Sequence, residues 1–238
     1  MVGDENRAER GAVKGARSKG LACPPTAVTV VIKLVVALPA EAKPIISRFG
    51  LARVQPDLDF PLYRRGRIAL VVTGPGKPTA TAGTDFLASS GNCPQAAIWV
   101  NVGIAGHAER QVGEVLLARG ITDADSGRVW RPILPQDRPC PADDLLTLDR
   151  PDLGYRHKGM VDMEASGFFP TACRYADTEL VQVLKIVSDN RETTARGLNA
   201  KQVRLLVGGA LDTLEALLAS LEALAEARHE ASGERCDG

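Results

Sequence analysis

The 238-residue chain has no surplus of charge of either sign: Lys+Arg 29 stand against Asp+Glu 29. Nucleic-acid binders carry a basic excess that neutralises phosphates, so that class is set aside. No C-x-x-C occurs, and the five cysteines (Cys23, Cys93, Cys140, Cys173, Cys236) and three histidines (His107, His157, His229) are scattered. No zinc site or disulfide framework is expected, and reduced cytosolic thiols are the default reading. No apolar run approaches the roughly 20 residues that span a bilayer. The longest, Val28 to Leu38, contains Lys33 and many β-branched residues and reads as a strand buried on both faces. Gly74-Pro75-Gly76-Lys77 fails as a P-loop, because Val71 holds the first glycine position and Pro78 follows the lysine. It fails as a dinucleotide fingerprint because Thr79 stands at the third glycine. No internal repeat is visible.

What is present is an alternation of apolar strands and amphipathic helices within residues 27–228. Residues 1–26 are polar and read as a disordered extension, and residues 229–238 as a frayed tail. After the first strand, Pro39-Ala40-Glu41 opens a short helix to Phe49. Leu62–Tyr63 and Arg67 to Thr73 form a strand pair around Arg65-Gly66, and a small-residue helix spans Thr79 to Ala88. Strands are expected at Ala96 to Val102, Val112 to Ala118 and Leu145 to Leu148. A long helix over Lys201 to Ala227 carries the stripe Val207, Leu211, Leu214, Leu218, Leu221. This pattern predicts one α/β domain with a central mixed sheet flanked by helices. In such folds ligands gather at the carboxyl ends of the strands.

The stretch Gly159 to Asn190 concentrates the candidate chemistry. It reads as a helix from about Asp162 to Tyr175 and a strand from Leu180 to Val187. Glu164 then lies in the first helical turn, where the macrodipole favours an anion, and Asp189 just past the strand's carboxyl end. Glu41 holds the same first-turn place on the first helix. Each acid alone could be a cap or a dipole partner. Gly103-Ile104-Ala105-Gly106 would let backbone approach a ligand closely, and His107 beside it reads as a solvent-facing loop histidine.

Five ordered motifs resemble the nucleoside phosphorylase/nucleosidase superfamily over about Val31 to Leu224. They are V-V-A-L-P-A-E (Val35 to Glu41), V-V-T-G-P-G-K (Val71 to Lys77), N-V-G-I-A-G with V-G-E-V (Asn101 to Gly106, Val112 to Val115), D-M-E-A (Asp162 to Ala165) and S-D (Ser188, Asp189). The resemblance implies a phosphorylase/hydrolase-like fold, a homodimer without cofactor or metal, and a nucleoside substrate. It implies catalytic Glu41, Glu164 and Asp189, with Met163, Gly76, Gly103, Ile104, Ser188 and Lys185 binding substrate. Phosphorylases similar to this carry arginines at Asn101 and near Glu41. Their absence tilts the expectation to water as acceptor, as in 5′-methylthioadenosine/S-adenosylhomocysteine nucleosidases, with phosphate the alternative through Arg64, Arg65 or a partner's arginine. The chain departs from that branch at Ile104, at Lys185 in place of an arginine, at Asn190-Arg191-Glu192, and in a shorter Asp123–Val161 segment.

Overall fold

The computed structural model describes residues 30–56, 58–91, 96–196 and 198–233. The expected N-terminal extension, the start of the first strand at Val28, and residues 234–238 of the expected C-terminal tail lie outside these residues; residues 229–233, expected as frayed tail, continue the last helix, Leu211–Gly233. Among the described residues no helix is long and apolar enough to cross a membrane, and Cys140 and Cys173 are free thiols.

The chain runs β1 (Ile32–Val36), α1 (Pro39–Phe49), β2 (Ala52–Arg53), β3 (Leu62–Arg65), β4 (Ile68–Val72), α2 (Lys77–Ser89), β5 (Ile98–His107), β6 (Val115–Asp123), β7 (Val129–Trp130), β8 (Ala142–Thr147), β9 (Met160–Asp162), α3 (Ala165–Ala172), a 3-10 turn at Thr178–Leu180, β10 (Val181–Asp189), α4 (Ala200–Gly209) and α5 (Leu211–Gly233). One mixed sheet holds all the strands. β1 lies parallel between β4 and β5, with β3 and β2 continuing outward antiparallel. On the other side the ladder closes on itself: β5 pairs β10, β10 pairs β6, β6 pairs β8, β8 pairs β9, and β9 returns to β5. β5 therefore touches three strands, which is why its residues Ile98 to Val102 are completely buried and continuously apolar except for Asn101.

Period-two alternation divides the core. Ile32, Leu34 and Val36 pack with Ile45 of α1 and with the α4–α5 stripe, whereas Val35 packs on the opposite face with Leu87 of α2 and Phe168 of α3. The stripe Val207, Leu211, Leu214, Leu218 and Leu221 is buried as its spacing predicts. The single long helix is not observed. It breaks after Gly209, where Gly208-Gly209 gives the segment its poorest helix formers.

Two other boundaries shift the site. β5 continues through Gly103–Gly106 to His107, where a loop was expected, because pairing with β10 and β9 extends the ladder. The helix expected from Asp162 begins only at Ala165. Met160 to Asp162 are drawn into β9 by pairing with β8 and β5. Glu164 thus occupies the N-cap position of α3 and not its first turn, and Asp189 is the last residue of β10.

α2 and α3 meet at Gly167, where an added Cβ would lie 2.3 Å from the Lys77 carbonyl oxygen. Gly167→Ala is therefore expected to cost about 1–3 kcal/mol by overpacking and to lower the melting temperature in a thermal melt. An unchanged melt would show that the two helices separate freely.

Candidate active site

The carboxyl ends of β1, β5 and β10 and the start of α3 converge on a cavity of ≈ 230 Å³. Its walls include Leu38, Glu41, Ile104, Met163, Glu164 and Asp189, and it is closed at one side by Pro151, Asp152 and Leu153 and at another by Ala195 and Leu198.

Glu41 is held at the bottom. As the third residue of α1 it turns back to accept the backbone N–H groups of Ala37 (3.1 Å) and Leu38 (2.8 Å) through Oε2, a half capping box. Its Oε1 accepts the Ile104 N–H at 2.9 Å across the sheet. Glu41 is 2% exposed, and burial pushes its pKa up to about 7 against the N–H groups of Ile104 and Leu38, with Lys185 lowering it and Glu164 raising it. A proton acceptor poised there suits neutral pH.

Glu164 accepts the Gly76 N–H at 2.9 Å and the Met163 N–H at 3.4 Å. The Gly74–Lys77 turn thus serves the site through backbone, its Gly76 at φ 101 turning the N–H inward. Burial holds Glu164 above the usual carboxylate range, Lys185 opposes this, and Asp162 adds to it. Asp189 accepts the Tyr155 hydroxyl at 2.8 Å on Oδ2 and the Ser188 hydroxyl on Oδ1.

Beneath these groups lies a buried ion pair. Lys185 Nζ reaches Asp162 Oδ2 at 2.8 Å, with side-chain exposures of 1% and 0%. Asp162 also accepts the Thr147 hydroxyl (2.8 Å) and the Ala165 N–H (2.9 Å), so it anchors the first turn of α3. Burial pulls the Lys185 pKa down, and the carboxylates of Asp162, Glu164 and Glu41 more than offset it, leaving a firmly charged ammonium.

Of the residues singled out in the sequence, Glu41, Ile104, Met163, Glu164, Ser188 and Asp189 line the cavity, whereas Gly76, Gly103 and Lys185 do not. Gly76 acts through Glu164. A Cβ on Gly103 would meet Glu41 Oε1 at 3.0 Å and Lys185 Nζ at 3.4 Å, and one on Gly106 would meet Asp189 Oδ2 at 3.0 Å. Both glycines make room for side chains of the site itself. Asn101 is 1% exposed and donates to the Val35 carbonyl at 3.1 Å, facing β1 and not the cavity. His107 is not a solvent-facing loop residue: at 3% exposure its Nδ1 accepts the N–H groups of Glu109 and Arg110, and its Nε2 lies 3.3 Å from Asp143. Lys77 turns away from the cavity to Asp123 (3.1 Å), Asp125 and Asp149 (2.7 Å). Tyr155 and Thr147 are not among the candidates the sequence offers, and Asp162 is named there without a role in the site. Asp162 sat inside the D-M-E-A motif and was read as helix, while Tyr155 carries no local signal.

No protein-family model and no curated protein matches the sequence. Solved structures do. The apo 5′-methylthioadenosine nucleosidase of Arabidopsis thaliana superposes with a TM-score of 0.67 at 18% identity, over 81% of this chain and 96% of that one. The 5′-methylthioadenosine/S-adenosylhomocysteine nucleosidase of S. pneumoniae, with a transition-state inhibitor, gives 0.63 at 19% identity over 82% and 100%. A futalosine hydrolase mutant of Helicobacter pylori gives 0.65 at 12% identity over 80% and 99%. The chain shares the α/β fold of these structures.

Because the folded state raises the Glu41 pKa from 4.5 to about 7, it retains a proton that the unfolded chain loses across that window. Stability therefore falls as pH rises from 4.5 to 7, and above 7 the ionised carboxylate costs about 3 kcal/mol. Glu41→Gln is expected to be more stable than the parent at pH 8, by about 1–3 kcal/mol, with the gain shrinking at pH 4. Urea melts at the two pH values measure it; a variant equally or less stable at pH 8 contradicts the burial account.

Proposed function

We propose that the chain is an N-glycosidase that cleaves a purine nucleoside with water, releasing free base and sugar. The observation that carries this reading is the charge of the cavity. Five acidic side chains line it (Glu41, Asp152, Asp162, Glu164, Asp189), and no lysine, arginine or histidine does among the described residues. A phosphate nucleophile would meet like charge without a cation to hold it. A sugar developing oxocarbenium character would meet complementary charge. Arg64 and Arg65, the candidates for an anion site, instead bond the carbonyls of Ser90 (2.8 Å) and Phe49 (3.5 Å).

In this reading Glu164, fixed by Gly76, accepts the ribose hydroxyls, and Met163 packs on the sugar. Glu41 takes a proton from the attacking water. Asp189 gives a proton to N7 of the base as the glycosidic electrons move onto the ring. The folds it resembles belong to enzymes named for methylthioadenosine, S-adenosylhomocysteine and futalosine, which supports a purine with a 5′ substituent. The apolar wall of Leu38, Ile104, Leu153 and Leu198 supports an uncharged group at that position. A homodimer belongs to the same reading.

Chromatographic detection of free base tests it, with methylthioadenosine, S-adenosylhomocysteine, adenosine, inosine and bulkier 5′-modified adenosines, each with and without phosphate. Base release without phosphate is expected. Glu164→Gln and Asp189→Asn are each expected to lose about 10²–10⁴-fold in turnover. Release only with phosphate would make the chain a phosphorylase, and tight binding without release would make it a binding protein.

A further inference from the structure

The loop between β8 and β9 and the loop after β10 wall the cavity from two sides, and one side chain joins both to Asp189. Tyr155 is 6% exposed. Its hydroxyl donates to Asp189 Oδ2 at 2.8 Å and accepts the Ala195 N–H at 3.0 Å, so both capacities of the phenol are used. Its backbone carbonyl accepts Arg191 Nη2 at 3.0 Å, from the chain just past Asp189. Tyr155 has φ 47, the one non-glycine residue in the left-handed region among the described residues. Such a conformation persists where surrounding contacts over-determine it. Three residues of its own loop, Pro151, Asp152 and Leu153, face the cavity, as does Ala195 of the other.

We infer that Tyr155 is a positioning residue for the leaving base, acting through Asp189. The inference rests on the nucleosidase reading and deepens it. Oδ2 of Asp189 is confined between the Tyr155 hydroxyl and the bare Cα of Gly106, where a Cβ would sit at 3.0 Å. Oδ1 is taken by the Ser188 hydroxyl. The carboxyl plane is thus fixed, and the lone-pair directions left over define where a purine N7 can approach. When the C1′–N9 bond breaks, its electron pair goes to the base and the Asp189 proton moves to N7, leaving a carboxylate. The two hydroxyl donors strengthen their bonds to that new charge. The phenol keeps its own proton, because burial, reinforced by the Asp189 charge, holds its ionisation above the usual tyrosine range against the Ala195 N–H. Tyr155 therefore contributes as negative charge grows on Asp189, which places its effect in kcat and not in KM.

The test compares two leaving groups in the full-length protein and in Tyr155→Phe. One substrate is methylthioadenosine, whose base leaves with proton transfer at N7. The other is the 4-nitrophenyl riboside with the same 5′ group, whose phenolate leaves without it. In Tyr155→Phe, kcat on methylthioadenosine is expected to fall at least tenfold with KM within threefold, while nitrophenolate release stays within threefold of the parent. Retained nitrophenolate release also shows that the variant is folded. Equal losses on both substrates would make Tyr155 a structural residue only, and unchanged kcat on both would remove any role; either overturns the inference alone. Parent protein inactive on both substrates and on the whole nucleoside panel would overturn the nucleosidase reading and this role with it.

Discussion

One buried ammonium governs the site. Lys185 and Asp162 form an ion pair with almost no access to water, and desolvation makes such pairs expensive unless every lone pair and proton is used. On the carboxylate side they are: Asp162 also receives the Thr147 hydroxyl and the first turn of α3. Removing the lysine would strand three carboxylates in low dielectric, a change of several kcal/mol by the general behaviour of broken buried pairs. Removing the aspartate would free α3 from its anchor.

The fold is what makes this charge arrangement possible. β10 supplies Lys185 and Asp189 four residues apart on one strand, and β5 beside it supplies Gly103 and Gly106, the gaps through which those side chains and Glu41 come close. The closed ladder around β5 and β10 excludes water from below. α1 and α3 then deliver Glu41 and Glu164 with their carboxylates satisfied by backbone N–H groups, Glu41 partly on the far strand at Ile104. One cation among Asp162, Glu164 and Glu41 leaves the interior with an excess of negative charge. That excess is a cost to the empty protein and, in the proposed reaction, an attraction for a sugar that becomes cationic.

Much of this could be read from the sequence. The order of strands and helices, the core stripe on α4 and α5, and the three acids Glu41, Glu164 and Asp189 at strand or helix ends all carry local signals of periodicity, capping and turn chemistry. What could not be read depends on pairing across the fold. Asp162 looks like the start of a helix, and only pairing with β8 and β5 draws Met160 to Asp162 into a strand. Gly103 and Gly106 look like a ligand loop, and only the position of Glu41 and Asp189 reveals that the space belongs to the protein. Lys185 carries the same residue type a substrate contact would, yet its partner Asp162 is 23 residues away. Tyr155 sits in an irregular loop without a pattern, so its bond to Asp189 has no sequence signature.

The surplus of negative charge is the central claim, and affinity for a positive sugar mimic tests it most directly. Calorimetric titration at pH 8 would compare two adenine nucleoside analogues of equal shape and 5′ group, one with a protonated nitrogen in the sugar ring and one uncharged. The charged analogue is expected to bind at least a hundredfold tighter, about 3 kcal/mol, and to lose most of that advantage in Glu164→Gln. Equal or weaker binding of the charged analogue would contradict the account.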